Sequence, residues 1–157
     1  ENALDKLLSN FNSKLDDDLL AEAETRGYDL KDIVTIASLI EEETDGTDRG
    51  NIASVIYNRL ENAGETAYLL QIDAALVYAA GRPITQADYA GLDSPYNLYQ
   101  HTGLPPTPIA NPGLVSIKAA LQPNDTNYYF YVLGEDGKHI FSETLAQHQK
   151  NLSGVKK

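Results

Sequence analysis

Apolar side chains recur every three or four residues through the first half of the chain. This spacing is that of one face of an α-helix. It predicts three amphipathic helices, over residues 3–23, 30–44 and 49–62. The acidic run at residues 16–18 interrupts the first helix and is interpreted as a solvated face. Thr47 and Asp48 are the predicted caps of the third, since their side-chain oxygens can accept from free backbone N–H groups.

Two shorter helices are predicted further along. Asp73 stands directly before the apolar run "AALVYAA", where its carboxylate could cap a short helix. Thr85 with Asp88 three positions later resembles a capping box and predicts that another helix opens there.

The segment from Asp93 to Gly113 breaks the helical pattern. "DSPYNLYQHTGLPPTPIANPG" carries five prolines and two glycines, which exclude regular helix and central strand. Its apolar side chains and tyrosines favour a long ordered loop, and such loops are often functional. Asn111 as cap and Pro112 as first residue predict that a helix follows.

The last third predicts a small β-element. "NYYFYVL", a "GEDG" turn and "KHIFS" indicate an antiparallel β-hairpin, and Thr144 opens a final helix through "LAQHQKNL". The predicted fold class is therefore α+β, a mainly helical single domain over residues 1–157 with a small hairpin and a long Pro-rich ordered loop.

Composition and charge narrow the function classes. The net charge of −11, from 23 acidic and 12 basic side chains, argues against nucleic acid and anionic lipid as partners. Cysteine is absent, which excludes thiol chemistry, and the histidines lack a zinc-site spacing. No stretch reaches the ~20 apolar residues of a membrane span. Since the chain starts at Glu1 within a predicted helix, we expect it to be a fragment of a longer protein.

Three glutamates close the second predicted helix, in "IASLIEEET". Helical periodicity places Glu42 opposite the apolar arc and therefore in solvent. Glu41 and Glu43 fall on opposite flanks of the arc, and periodicity does not choose between them. An acid at such an edge is desolvated and gains the raised pKa of a general acid. The alternative is that both acids form ion pairs with Arg49 or Arg59.

Several segments occur in an order that resembles the endolytic murein transglycosylases of the YceG-like family. They are "IASLIEEET", "NIASVIYNRL", "LLQIDAALVY", "SPYNLYQHTGLPPTPIANPG", "SIKAAL" and "HIFSETLAQH". The resemblance implies cleavage of the β-1,4 bond between N-acetylmuramic acid and N-acetylglucosamine in peptidoglycan. It also implies a 1,6-anhydro product end and a catalytic Glu directly before Thr, here Glu43, with no cofactor or metal.

The resemblance implies further site residues. Gln71 and Asp73 are expected beside Glu43, although Ala75 stands where these proteins usually have Thr. Substrate contacts are expected from three residues of the Pro-rich loop, because tyrosine offers a flat face to a sugar and asparagine can both donate and accept. These are Tyr96, Asn97 and Tyr99. Supporting roles are expected for Glu41, Arg59, His139 and His148.

The resemblance also sets expectations about the intact protein. It implies an upstream membrane anchor and a LysM-like region, action at the extracytoplasmic face of the bacterial membrane, glycan strands as substrate and cell-wall synthases as partners. Two other functions remain open. One is a catalytically silent peptidoglycan-binding module. The other is a lysozyme-type hydrolase in which Asp73 supplies a second carboxylate.

Overall fold

The computed structural model of the protein describes residues 2–15, 17–44 and 46–155. Glu1, Asp16, Asp45, Lys156 and Lys157 lie outside the described residues. The elements follow in chain order: α1 Ala3–Asn12, α2 Asp17–Thr25, α3 Leu30–Glu43, α4 Arg49–Glu61, α5 Asp73–Ala80, α6 Asp88–Gly91, α7 Leu114–Leu121, β1 Phe130–Leu133, β2 His139–Ser142 and α8 Leu145–Val155.

Helix α3 forms the centre of the core. A capping box between Asp29 and Asp32 begins it, each side chain accepting from the other residue's backbone N–H. Every residue from Thr35 to Ile40 is buried, because α3 packs against α7, α4 and α5. Its C-terminal end is thereby held at the boundary between the core and the surface.

The α+β class is confirmed, as are α3, α4, the β-hairpin and α8. The single helix predicted over residues 3–23 is wrong, since α1 ends at Asn12 and α2 begins at Asp17. Helix α7 begins at Leu114 with Gly113 at its cap position, two residues later than Pro112 predicts. Because the chain near Pro112 is extended there, proline precedes the helix instead of opening it.

The predicted caps differ as well. Asp48 occupies the N-cap position of α4 without a side-chain cap, and its carboxylate accepts instead from the Thr44 hydroxyl at 2.7 Å. Asp73 is the first residue of α5 and caps nothing. Thr85 donates to Asp88 through its N–H and its hydroxyl, but α6 itself begins only at Asp88. Each of these carboxylates accepts hydrogen bonds from a tertiary or loop partner.

The hairpin and the Pro-rich segment flank the end of α3. Strands β1 and β2 are antiparallel, with Tyr131 opposite Phe141, and α8 packs on both strands. Residues 92–113 contain neither helix nor strand. The backbone N–H of Ile109 donates to the Ser38 hydroxyl of α3 at 3.0 Å, which attaches this segment to the central helix.

Candidate active site

The three glutamates at the end of α3 have three different environments. Glu42 is exposed, which confirms the prediction from periodicity. Glu41 accepts a hydrogen bond from the Ser116 hydroxyl of α7 at 2.5 Å. Glu43 is partly buried on the other flank, and its Oε2 accepts from the Tyr131 hydroxyl of β1 at 2.7 Å. The two flanking acids therefore face different parts of the protein.

A cavity of about 360 Å³ opens beside Glu43. It brings together parts of the chain that are far apart in sequence: the ends of α3 and α4, the start of α5, the Pro-rich segment, β1 and α8. Its lining residues are Glu43, Arg59, Gln71, Asp73, Tyr99, Phe130, Tyr131 and His148. A cleft with several convergent polar groups is the usual form of a ligand site.

Burial controls the protonation of Glu43. Desolvation raises the pKa of its carboxyl group, and the nearby charge of Asp73 raises it further. The hydrogen bond from Tyr131 and the charges of His139 and Arg59 act in the opposite direction, with a smaller combined effect. Glu43 therefore keeps its proton to a higher pH than an exposed glutamate does, as a general acid requires.

Asp73 forms the other acidic wall of the cavity. Its Oδ1 accepts from the Tyr99 hydroxyl at 2.5 Å and its Oδ2 from the Tyr89 hydroxyl at 3.1 Å. The two tyrosine rings meet edge to face, with centroids 4.7 Å apart. Burial and the hydrogen bond to Asp73 raise the pKa of Tyr99, so both phenols remain donors to this carboxylate at neutral pH.

Arg59 joins the walls of the cavity through backbone contacts. Its Nε donates to the Tyr129 carbonyl at 2.7 Å, and its Nη1 donates to the Leu70 carbonyl. The guanidinium also lies over the Phe130 ring, 5.4 Å from the centroid. The alternative in which Glu43 is ion-paired with Arg59 is not realised, because among the described residues the two form no ion pair within 4.0 Å.

His148 contacts the same aromatic ring. Its imidazole stacks on Phe130 with centroids 5.2 Å apart. Burial, with a contribution from the charge of Arg59, lowers the pKa of His148. Phe130 therefore contacts both the guanidinium of Arg59 and the imidazole of His148.

Four of the residues expected at the site do not line this cavity. Asn97 is fully buried, and its amide donates to the carbonyls of Tyr89 and Leu92. The expected sugar contact of Asn97 is thus not available. Tyr96 bonds instead to the Thr107 hydroxyl at 2.7 Å. Glu41 faces α7 as described.

The fourth, His139, supports the cavity from behind. Its Nδ1 lies 2.7 Å from Oδ2 of Asp48. Its ring meets Tyr131 edge to face, with centroids 5.3 Å apart. His139 therefore contacts the tyrosine that is hydrogen-bonded to Glu43.

Sequence reasoning missed Tyr131, Phe130 and Tyr89. The aromatic run "NYYFYVL" predicts a strand, but alternation along a strand does not say which ring reaches a carboxylate on α3. Tyr89 has no distinguishing local pattern. The contacts of Tyr131 with Glu43 and of Tyr89 with Asp73 arise only in the tertiary structure.

Glu43 also lines a second cavity, of about 370 Å³, together with Glu41, Glu42 and His139. A cavity of about 440 Å³ lies between α1 and α7, and its lining residues, which include Phe11, Leu15 and Ile117, contain no carboxylate. Among the described residues, no group of three or more His, Asp or Glu side chains could hold a metal ion. No helix within the described ranges is long and apolar enough to cross a membrane.

The chain is an α+β domain with a desolvated glutamate at an open polar cleft. A sequence model of the YceG-like family matches residues 1–154, and the chain belongs to that family. A crystal structure of a YceG-like protein from Listeria monocytogenes superposes with a TM-score of 0.75 at 35% identity, covering 95% of this chain and 46% of that one.

Two curated relatives carry the name endolytic murein transglycosylase. The Bacillus subtilis protein is 46% identical over 121 residues, which are 75% of this chain and 32% of that protein. The Streptococcus pneumoniae serotype 2 protein is 32% identical, over 96% of this chain and 27% of that protein. The chain thus spans about a third of the length of these relatives.

Proposed function

We propose that this chain is the catalytic domain of an endolytic peptidoglycan lytic transglycosylase. It cleaves the β-1,4 bond between N-acetylmuramic acid and N-acetylglucosamine and leaves 1,6-anhydro-muramyl ends. The names of its relatives support the substrate class. The observation that carries the proposal is the placement of Glu43, desolvated at the edge of an open cleft and bonded through Oε2 to Tyr131.

One carboxyl group is sufficient for this chemistry. Protonated Glu43 donates to the leaving glycosidic oxygen while positive charge develops at C1 of the muramyl residue. The resulting carboxylate accepts the proton of the C6 hydroxyl as that oxygen bonds to C1, so the group is regenerated and no water enters. The substrate's own N-acetyl group assists at C1, as in other glycosidases that lack a second catalytic carboxylate.

The contacts of Glu43 suit both steps. The Tyr131 hydroxyl holds Oε2, and among the described residues none donates to Oε1, which is the oxygen we assign to the substrate. Gln71, Asp73 and Tyr99 form the sugar-binding wall, with Asn97 positioning Tyr99 by accepting from its backbone N–H at 3.2 Å. We also propose that the Pro-rich loop is ordered and functional, because it supplies Tyr99.

The test is mass spectrometry of peptidoglycan digested by the protein. We expect 1,6-anhydro ends with the natural sequence and none with Glu43→Gln. Glu42→Gln is the matched control, since Glu42 lies on the same helix turn but is exposed, and it should digest normally. New anhydro ends from Glu43→Gln would refute the assignment of the acid.

A lysozyme-type hydrolase is the second candidate, because Asp73 lines the same cavity as Glu43. Hydrolysis adds one water to each product, so product mass separates the two reactions. A silent binding module is the third alternative. It would retain sacculus binding and release no new chain ends on prolonged incubation.

We further propose that the domain acts at the extracytoplasmic face of the bacterial membrane, as part of a longer protein with a membrane anchor and a LysM-like region. Glycan strands are its substrate and cell-wall synthases its partners. Protease added to intact protoplasts should degrade the domain if it is extracytoplasmic and spare it if it is not. Cross-linking in cells would identify a neighbouring synthase.

A further inference from the structure

Gln71 has an unusual backbone conformation at the edge of the cavity. Its φ is 53°, in the left-handed region that side chains with a Cβ rarely adopt. Ala67 and Tyr68 in the same connection also have positive φ. Of these three residues, Gln71 alone lines the cavity that contains Glu43. Strained residues of this kind are concentrated at functional sites.

The surrounding contacts hold Gln71 in this conformation from both sides. Its backbone N–H donates to the Leu98 carbonyl at 3.0 Å, and the carbonyl of the preceding Leu70 accepts from Arg59. The flanking side chains of Leu70 and Ile72 are buried. With both neighbours anchored in the core, the left-handed turn leaves the Gln71 side chain on the wall of the cavity.

The amide of Gln71 is available for a ligand. Within the described part of the chain, it forms no hydrogen bond to another protein group, whereas Asp73, Tyr99 and Tyr131 are already hydrogen-bonded to protein partners. It is also the one carboxamide among the lining residues. A carboxamide has an NH₂ group that can donate and a carbonyl that can accept, so the side chain of Gln71 can donate a hydrogen bond to the carbonyl of an acetamido group.

We propose that Gln71 is a specificity-determining residue that recognises the 2-acetamido group of the amino sugar bound next to Glu43. Its Nε2 donates to the acetamido carbonyl. The identity of the sugar rests on the proposed function. The pairing would reject a sugar with a free amine, because that group lacks the carbonyl and leaves Nε2 of Gln71 without a partner.

Binding measured without cleavage tests this proposal. The Glu43→Gln protein is titrated with peptide-free glycan strands prepared from peptidoglycan, and with the same strands after de-N-acetylation. We expect about tenfold tighter binding of the acetylated strands, as for one well-formed hydrogen bond. In this background Gln71→Gly should remove the preference by weakening only the acetylated complex. Glycine accepts a positive φ, so the variant deletes the amide without straining the backbone.

Tyr68→Gly is the matched control. It relieves a left-handed residue of the same connection whose side chain is exposed and outside the cavity, and it should leave the preference unchanged. The proposal would be overturned if Gln71→Gly weakened the binding of acetylated and de-N-acetylated strands equally, or if it left the preference unchanged. Failure of Glu43→Gln to bind either kind of strand would also overturn it. The outcome is separate from catalysis: a natural-sequence protein that binds acetylated strands selectively but forms no anhydro ends refutes the proposed function and leaves this inference standing.

Discussion

The hydroxyl of Tyr131 donates to Oε2 of Glu43 at 2.7 Å, although the two residues are 88 positions apart in the sequence. The Tyr131 phenol is enclosed, and burial together with Glu43 holds its pKa well above the usual range for tyrosine. It therefore stays protonated and remains a donor at neutral pH. One carboxylate oxygen of Glu43 thus accepts a hydrogen bond from the protein, and none of the described residues donates to the other.

Removal of this hydrogen bond should change both rate and pH dependence. In Tyr131→Phe, Glu43 loses the contact that lowers its pKa, so the pKa rises further. Because the acid works when protonated, activity persists below its pKa and is lost above it. We expect the alkaline limb of the kcat/KM profile to move to higher pH, with kcat reduced on the order of tenfold by loss of orientation.

Tyr129→Phe is the control for that experiment. Tyr129 precedes β1 and its hydroxyl forms no hydrogen bond within the described residues, while its backbone N–H still pairs with Ser142. An unchanged profile is expected. A shift of the limb to lower pH in Tyr131→Phe would contradict the assigned contact.

Removal of the Asp73 charge should shift the alkaline limb of the kcat/KM profile in the opposite direction. Its charge raises the pKa of Glu43, so Asp73→Asn should lower that pKa and shift the alkaline limb to lower pH. Tyr89→Phe keeps the charge and removes only the weaker of the two phenol contacts, and its limb should stay in place. Equal shifts in both variants would show that the effect of Asp73 is not electrostatic.

The raised pKa of Glu43 also predicts a pH-dependent stability difference. Below the ordinary value of 4.5, Glu43 is neutral and resembles glutamine, so the natural protein and Glu43→Gln should melt together. As pH rises from this value through the raised pKa, the unfolded chain releases the proton more readily than the folded protein does, so the natural protein loses stability relative to the variant. We expect Tm of Glu43→Gln to exceed that of the natural protein by a gap that widens with pH. A constant gap in differential scanning calorimetry would contradict the burial of this acid.

Arg59 is expected to be a structural residue of the cavity. A lysine has one compact ammonium and cannot reach the carbonyls of both Leu70 and Tyr129 in place of the guanidinium. Arg59→Lys should therefore lower the free energy of unfolding by about 2–3 kcal/mol, since buried acceptors lose a charged partner. Urea denaturation measures the loss. Arg26→Lys, at an exposed ion pair with Glu61, should change stability little.

The roles of the two flanking acids can be separated by the same conservative change. Glu41→Gln preserves an acceptor for the Ser116 hydroxyl and alters none of the residues that line the cavity shared by Glu43 and Asp73. We expect its anhydro-product yield to remain within about twofold of the natural protein. If Glu41→Gln is as inactive as Glu43→Gln, the reaction takes place in the cavity lined by both Glu41 and Glu43 and not in the one that contains Asp73.

Much of the fold follows from local pattern. The helical spacing of apolar residues predicts α3 and α4, and alternation with a glycine turn predicts the hairpin. These elements were predictable because their apolar faces and turn residues lie close together in the sequence. The caps at Asp48 and Asp73 were not, because each carboxylate has a stronger partner elsewhere: Thr44 and His139 for the first, Tyr99 for the second.

By itself, the sequence determined that Glu42 is exposed and that Glu41 and Glu43 lie at the two edges of a buried helix. The choice between those edges is invisible to helical periodicity, because both are equally close to the apolar arc. Tertiary structure alone decided that Glu41 meets Ser116 and Glu43 meets Tyr131. The physical reason is that burial and hydrogen bonding depend on segments brought from 75 and 88 residues away, and no local pattern encodes where those segments dock.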